Sequence, residues 1–345
     1  MLRLKPALAT VSTLALACLF SAPALAGQTL ESIKKKDVIA CGVNTSAVGF
    51  SGADSKGRWS GIDVDFCRAL AAAVLRDSEK VKFVPLNSQQ RFAAVQAGEV
   101  DVLARNTTVT LTRDASLGLN FVGVNYYDGQ GFMVPKKLKI DSAAKLGNAT
   151  FCVQAGTSSE RNLADYYAAK SGKATYKSVV FDTAEAVQSA FFSGRCQVLT
   201  TDISDLVGGR SHAPNPDDYV ILPDVISKEP LGPAVRRGDD EWASIVKWTL
   251  NAMQEAEELG IAKTNVAKLK TDSKDPAVQR FLGVSEDTGK LLGLDRDWAH
   301  RIVAQVGNYG ESFEANMGEK TPLGLPRGVN KPWNQGGLMY ALPIR

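Results

Sequence analysis

One helix-then-strand unit occurs twice in this chain, and that repetition limits the folds open to it more than any single motif. In the first copy, Leu86-Asn87-Ser88 leads into a helical pattern carrying Phe92 and Val95; Gly98 then precedes the strand-like Val100-Asp101-Val102-Leu103-Ala104. In the second, Phe181-Asp182-Thr183 leads into Val187 and Ala190, then Gly194 and the strand-like Gln197-Val198-Leu199-Thr200. Each copy has an Asn or Asp with Ser or Thr to cap a helix, a glycine to end it, and a short apolar strand after it. Such alternation builds parallel sheets, and its recurrence predicts two similar α/β lobes. Ligands of these sheets sit beyond the carboxyl ends of strands, so the residues after Ala104 and after Thr200 become the site candidates.

A second constraint is Gly61 to Val74. Within it Ile62, Phe66, Ala69, Leu70, Ala73 and Val74 fall on one stripe of a helix. The run follows the strand-like Val38 to Asn44 and a turn at Ser55-Lys56-Gly57, which gives strand, loop and helix, the opening unit of an α/β lobe.

The N-terminus reads as an export leader. Arg3 and Lys5 precede the apolar stretch Ala7 to Phe20, and Ala24-Leu25-Ala26 supplies small residues for cleavage before Gly27. Cys18 does not make this a lipoprotein signal, because Ala15 stands where leucine is usual and the small-residue site lies downstream. The reading is residues 1–26 as a cleaved signal peptide and a product released to the periplasm. At 44% hydrophobic and 22% charged, the composition is that of a globular chain. Of the 40 Lys and Arg, two lie in the leader, so the remainder nearly balances the 37 Asp and Glu. That balance leaves no electrostatic footprint for nucleic acid or an anionic membrane.

Four cysteines follow the leader: Cys41, Cys67, Cys152 and Cys196. In an oxidising compartment they read as two disulfides with three possible pairings. Cys41 sits on the first strand and Cys67 on the helix that covers it, whereas Cys152 and Cys196 lie on two later strand candidates. This context favours Cys41 with Cys67 and Cys152 with Cys196. The spacing lacks Cys-x-x-Cys, and His212 and His300 are far apart, so no metal site is read.

After the first repeated strand comes Arg105 to Arg113, in which Thr110 is placed to cap a short helix. After Phe151-Cys152-Val153-Gln154 comes Gly156-Thr157-Ser158-Ser159-Glu160, where Thr157 with Glu160 spells a capping box at a strand-to-helix turn. Asp202 ends the second repeated strand and reads locally as a helix cap, with Ser204-Asp205 able to do the same.

The run Gly-Ile-Asp-Val-Asp-Phe followed by a small-residue helix resembles the signature of the periplasmic solute-binding proteins that serve polar amino-acid ABC transporters, bacterial solute-binding protein family 3. Cys41-Gly42-Val43-Asn44, the closing Asn330-Lys331-Pro332-Trp333-Asn334 and the length beyond Gly260 resemble the general L-amino-acid-binding subfamily. The resemblance implies a two-lobed type II periplasmic binding protein fold with two Rossmann-like lobes. One lobe comprises residues 27–127 and 229–345, with a C-terminal extension from about 261, and the other residues 128–228. Two hinge segments join them, near Gly123 to Gly131 and Ser227 to Leu231. It also implies a function: closure of the lobes around an L-amino acid for delivery to the membrane permease subunits of an ABC importer, by a monomer without metal or cofactor.

The same resemblance assigns roles. Thr108 and Arg113 hold the ligand α-carboxylate, assisted from the other lobe by Thr157 and Ser158; the backbone carbonyl of Asn106 and the carboxylate of Asp202 take the ammonium. The chemistry is apt, since a planar guanidinium pairs with carboxylate in two places and a buried zwitterion needs both an arginine and an acid. The aromatic that basic-amino-acid binders stack on their ligand falls on Ala47, leaving Phe50 as one wall and Asn44 as a neutral polar edge, which implies broad recognition. Two other readings share the fold: a dehydratase-type enzyme using Asp202 or Glu229 as acid or base, and a ligand-sensing module for a membrane receptor.

Overall fold

The computed structural model describes residues 27–169 and 175–345. The leader read over residues 1–26, with Arg3, Lys5, Cys18 and Ala24-Leu25-Ala26, lies outside them.

The two repeats occupy equivalent places in two five-stranded sheets. In the first sheet Ile39–Val43 lies between Val81–Pro85 and Val102–Leu103, all parallel, with Cys41 opposite both Phe83 and Val102. Ala234–Arg236 then runs antiparallel between Val102–Leu103 and Leu119–Phe121. In the second sheet Thr150–Gln154 lies between Lys177–Phe181 and Val198–Asp202, again parallel, with Cys152 opposite Val179 and Leu199. Gln130–Pro135 and Tyr219–Ile221 complete it in antiparallel register. Gly98 and Gly194, at φ 72° and 83°, end the two repeated helices in the left-handed region that only glycine enters cheaply.

The chain crosses between the sheets at two strands. Tyr126–Asp128 carries it over and Glu229–Leu231 brings it back, paired antiparallel with Asp128 opposite Glu229.

The helix Ile62–Leu75 buries Ile62, Phe66, Ala69, Leu70 and Ala73, the stripe read from spacing, and buries Asp63 with them. Its leading glycine answers a steric demand. Gly61 has φ 130°, and a Cβ there would stand 2.0 Å from the Phe50 carbonyl oxygen. That closeness lets Ile62 N–H reach the Gly49 carbonyl at 2.9 Å and Asp63 N–H the Phe50 carbonyl at 3.0 Å, so the helix start holds the Asn44 to Phe50 loop.

Cys41 is bonded to Cys67, and Cys152 to Cys196, with Cα separations of 6.3 Å and 5.6 Å. Each lobe therefore has one crosslink within its own core.

The segment beyond Ile261 is built into the first lobe. Helices Trp298–Gln305 and Tyr309–Asn316 place Trp298, Ile302, Val303 and Phe313 in the same apolar cluster as Phe66 and Leu70. Arg301 donates to the Ala72 and Ala73 carbonyls, at 3.0 Å and 3.3 Å, and so caps the C-terminal end of the signature helix. Among the described residues no helix is long and apolar enough to cross a membrane.

Candidate ligand-binding cleft

The loops that follow the parallel strands face one another across the gap between the sheets, and the lobes are closed on each other. Thr108 Oγ1 lies 3.1 Å from Ser158 Oγ, Asn106 Nδ2 donates to Asp205 Oδ2 at 3.2 Å, and Thr45 Oγ1 donates to Glu185 Oε1 at 2.9 Å. Thr108 and Ser158, assigned to one carboxylate from opposite lobes, thus stand together.

Arg113 is buried on the short helix Leu111–Ser116, whose start is capped by Thr110 accepting from Arg113 N–H at 3.2 Å. Its guanidinium donates to the Thr108 carbonyl at 2.8 Å. Burial lowers its pKa, and the nearby Glu229 and Asp202 carboxylates oppose that shift. Asp202 is buried at the end of Val198–Asp202 and caps nothing; its Oδ1 has no hydrogen-bond partner among the described residues. Burial, reinforced by Asp128, Asp205 and Glu229, raises its pKa well above the usual carboxylate range, with Arg113 pulling the other way.

Asn106 stands at φ 33°, and its amide bridges the cleft: it accepts from Asn44 Nδ2 at 3.0 Å and donates to Asp205. Thr157 caps the helix Ser158–Ala168 by accepting from Glu160 N–H at 3.2 Å while donating to the Gln154 carbonyl at 2.7 Å. Its hydroxyl is committed to the fold, so what it offers an anion is its backbone N–H. The reciprocal bond of the capping box is displaced by one residue, because Glu160 Oε2 receives Gly156 N–H at 3.0 Å.

Phe50 is not a wall of the cleft. It is fully buried and meets Tyr126 edge-on at 5.2 Å between centroids, with Tyr126 in turn stacked on Phe313. A ring at that depth supports the hinge strand rather than a ligand.

Three charged groups in this region escape the sequence reading. Arg91 is buried; it donates to Thr107 Oγ1 at 3.2 Å and reaches the Gly156 carbonyl of the other lobe at 3.5 Å, while its Nε has no partner among the described residues. The Arg91 and Arg113 guanidinium groups lie 4.7 Å and 5.4 Å from the Phe92 ring centroid. Arg91 lies four residues before Val95, on the buried face of its helix, and a charge at such a position was the available signal. Asp205 was readable only as a cap, and Asp63 only as a helix-start acid. Asp63 instead accepts Asn106 N–H and Asn125 Nδ2, both at 2.7 Å, tying the ligand loop to the entry of the hinge.

Residues 39–264 match the model of the bacterial extracellular solute-binding proteins, family 3. The chain belongs to that family.

Within it, this solute-binding protein is 52% identical to the general L-amino acid-binding periplasmic protein AapJ of Rhizobium johnstonii, over 94% of this chain and 95% of that one. It is 50% identical to the glutamate/glutamine/aspartate/asparagine-binding protein BztA of Rhodobacter capsulatus, over 96% of this chain and 98% of that one. Among solved structures, an ABC transporter periplasmic binding protein from Brucella ovis with glutathione bound superposes with a TM-score of 0.89 at 52% identity, covering 92% of this chain and 99% of that one. The likeness spans the C-terminal extension as well as the two lobes.

Proposed function

We propose that this solute-binding protein captures L-amino acids of several side-chain classes in its interlobe cleft and presents the closed form to the membrane subunits of an ABC importer. One observation carries the reading: Arg113 from the first lobe and Asp202 from the second are both buried at the same cleft, and Asp202 keeps an oxygen without a hydrogen-bond partner among the described residues. A zwitterion supplies the missing charge to each. The α-carboxylate pairs with Arg113 and the Thr108 and Ser158 hydroxyls, with the Thr157 backbone N–H beside them; the α-ammonium takes Asp202 and the Asn106 carbonyl. Charges on opposite lobes make the ligand a cross-brace, so it favours the closed state in proportion to the contacts that only closure permits.

Breadth is supported by Ala47, which leaves space beside Asn44, and by the general and the acid-and-amide binding named for two relatives. The γ-glutamyl end of glutathione is itself an L-amino-acid zwitterion, so γ-glutamyl peptides are a second ligand class that the Brucella relative brings into view. Of the two carboxylates a dehydratase would need as acid or base, Asp202 is taken by the ligand ammonium in this reading, and Glu229 Oε1 already accepts from Asn162 Nδ2 at 2.6 Å and from the Ser227 hydroxyl at 2.5 Å. Periplasmic release after cleavage near Gly27, the division into residues 27–127 with 229–345 and 128–228, and a monomeric state complete the reading.

The test is isothermal titration of refolded, ligand-stripped protein with acidic, amide, aliphatic and basic L-amino acids and with glutathione. Saturable binding across classes is expected; binding of none would reject the reading.

A further inference from the structure

Asp205 is an ionisable group of the cleft that the zwitterion does not use. Asp202 immediately precedes the helix Ile203–Ser211 and Asp205 lies three residues on, in its first turn, so the two acids sit at the same end of that helix. Asp205 borders a pocket between the lobes together with Asn44, Ala47, Gln154, Gln188 and Thr201. Among the described residues lining that pocket, Asp205 alone ionises. Its Oδ2 accepts Asn106 Nδ2 at 3.2 Å, and Asn106 accepts Asn44 Nδ2 at 3.0 Å, so a train of neutral amides ends on this carboxylate. The small Ala47 leaves the space beside it in which a side chain projecting from the zwitterion would lie.

Resting on the amino-acid reading above, we propose that Asp205 reads the ligand side chain by pairing with its polar end in the pocket beside Ala47. As a carboxylate it accepts from the ammonium of lysine, the guanidinium of arginine or an amide N–H. As a neutral acid it donates to the side-chain carboxylate of glutamate or aspartate.

Its surroundings make both forms accessible. Asp128 and Tyr126 of the hinge strand, Asp63 of the signature helix, Asp202 at the strand end before its own helix and Arg105 of the ligand loop are titratable groups that interact with it, and Glu185 acts on Arg105 in turn. Burial first, then Asp128, pushes its pKa up to about 7, against Arg105 and the Asn106 amide. One pocket can then serve side chains of either sign, with pH setting the preference.

The experiment is titration calorimetry with L-lysine, L-glutamate and L-alanine at acid and alkaline pH, for the native protein and Asp205→Asn. Alanine lacks a polar side chain, so ratios to alanine cancel any general change in zwitterion affinity. In the native protein the lysine-to-alanine affinity ratio should rise with pH and the glutamate-to-alanine ratio should fall, each by about tenfold, the worth of one charged hydrogen bond. Asp205→Asn should flatten both profiles. Native-like ratios and slopes in Asp205→Asn would overturn the proposal. Ala47→Leu, which fills the space beside Asp205, should lower lysine and glutamate affinity relative to alanine, and unchanged ratios there would count equally against it. Failure of the native protein to bind any of the three would reject the amino-acid reading and this inference with it, an outcome distinct from loss of the ratios alone.

Discussion

Asp63, in the first turn of the signature helix, accepts the backbone N–H of Asn106 at 2.7 Å. Its other oxygen accepts Asn125 Nδ2 at 2.7 Å, and the Asn125 carbonyl receives the Tyr309 hydroxyl at 2.7 Å. A buried acid thus holds the backbone N–H of the residue whose carbonyl, one peptide further on, is assigned to the ligand ammonium, and links it to the segment entering the hinge. Asp63→Ala should lower stability by about 2–3 kcal/mol, since it leaves two buried donors unpaired. It should also weaken ligand binding although Asp63 touches no ligand. Urea unfolding and titration calorimetry measure the two effects; full affinity in a destabilised variant would show that the Asn106 peptide is held by other means.

Arg113 carries the α-carboxylate assignment, and Arg113→Lys is the sharper probe than alanine. Lysine keeps the charge but cannot hold the Thr108 carbonyl and a carboxylate together in one plane. Roughly a hundredfold loss of affinity for every L-amino acid is expected, equivalent to about 3 kcal/mol. A loss confined to one side-chain class would move the arginine from the backbone subsite to the side-chain pocket.

Asp128 gives a pH test with a defined sign. It accepts from the Ser204 hydroxyl and from Gly129 N–H, yet burial raises its pKa to about 6, with Glu229 opposite adding to the shift. The folded state therefore holds its proton more tightly than the unfolded chain, whose aspartates titrate near about 4. Its favourable contribution is complete below about pH 4 and is lost as pH rises through about 6. Asp128→Asn should accordingly gain stability relative to the native protein between acid and neutral pH, by at most about 3 kcal/mol before solvent screening. Unfolding free energies measured at both ends decide it, and a difference that is constant with pH would remove Asp128 as a titrating group.

Much of this arrangement could be read before any coordinates. The doubled helix–glycine–strand unit announces two sheets because capping, helix ending and strand burial are local properties, and Gly98 and Gly194 express them in the same way. The Ile62 to Val74 stripe is likewise periodic, and Arg113 and Asp202 follow strands at the ends where ligands gather. What was not legible depends on distant partners. Phe50 reads equally as wall or core until Tyr126 arrives from the hinge to cover it. Asp63 looks like a favourable helix-start acid until Asn106 and Asn125 close on it. Arg91 needs the second lobe's Gly156 to show that it faces the cleft. The extension's apolar stripe, Trp298, Ala299, Ile302 and Val303, is periodic and marks a packed helix, but its polar anchors are single side chains that carry no local signal of where they dock.

One of those anchors, Asn330, bears directly on closure. Its Oδ1 accepts Tyr127 N–H at 2.7 Å and its Nδ2 donates to the Tyr127 carbonyl at 3.0 Å, so the side chain imitates a neighbouring strand along one edge of Tyr126–Asp128. The adjacent loop is held in turn by Arg327, which donates to both Glu257 oxygens, at 2.9 Å and 3.1 Å, and to the Asn330 carbonyl. The hinge strand is therefore paired antiparallel with Glu229–Leu231 and tied to the extension through the backbone of Tyr127. Removing the amide frees both Tyr127 groups and loosens the strand that must bend when the lobes part. Asn330→Ala should cost about 1–3 kcal/mol of stability. Because the freed strand opens more easily, it should raise the ligand dissociation rate more than it lowers the association rate. Asn330→Asp, which keeps the acceptor and loses the donor, should fall between the two. Stopped-flow kinetics on the three proteins measure this order, and equal dissociation rates would confine the extension to a purely stabilising role.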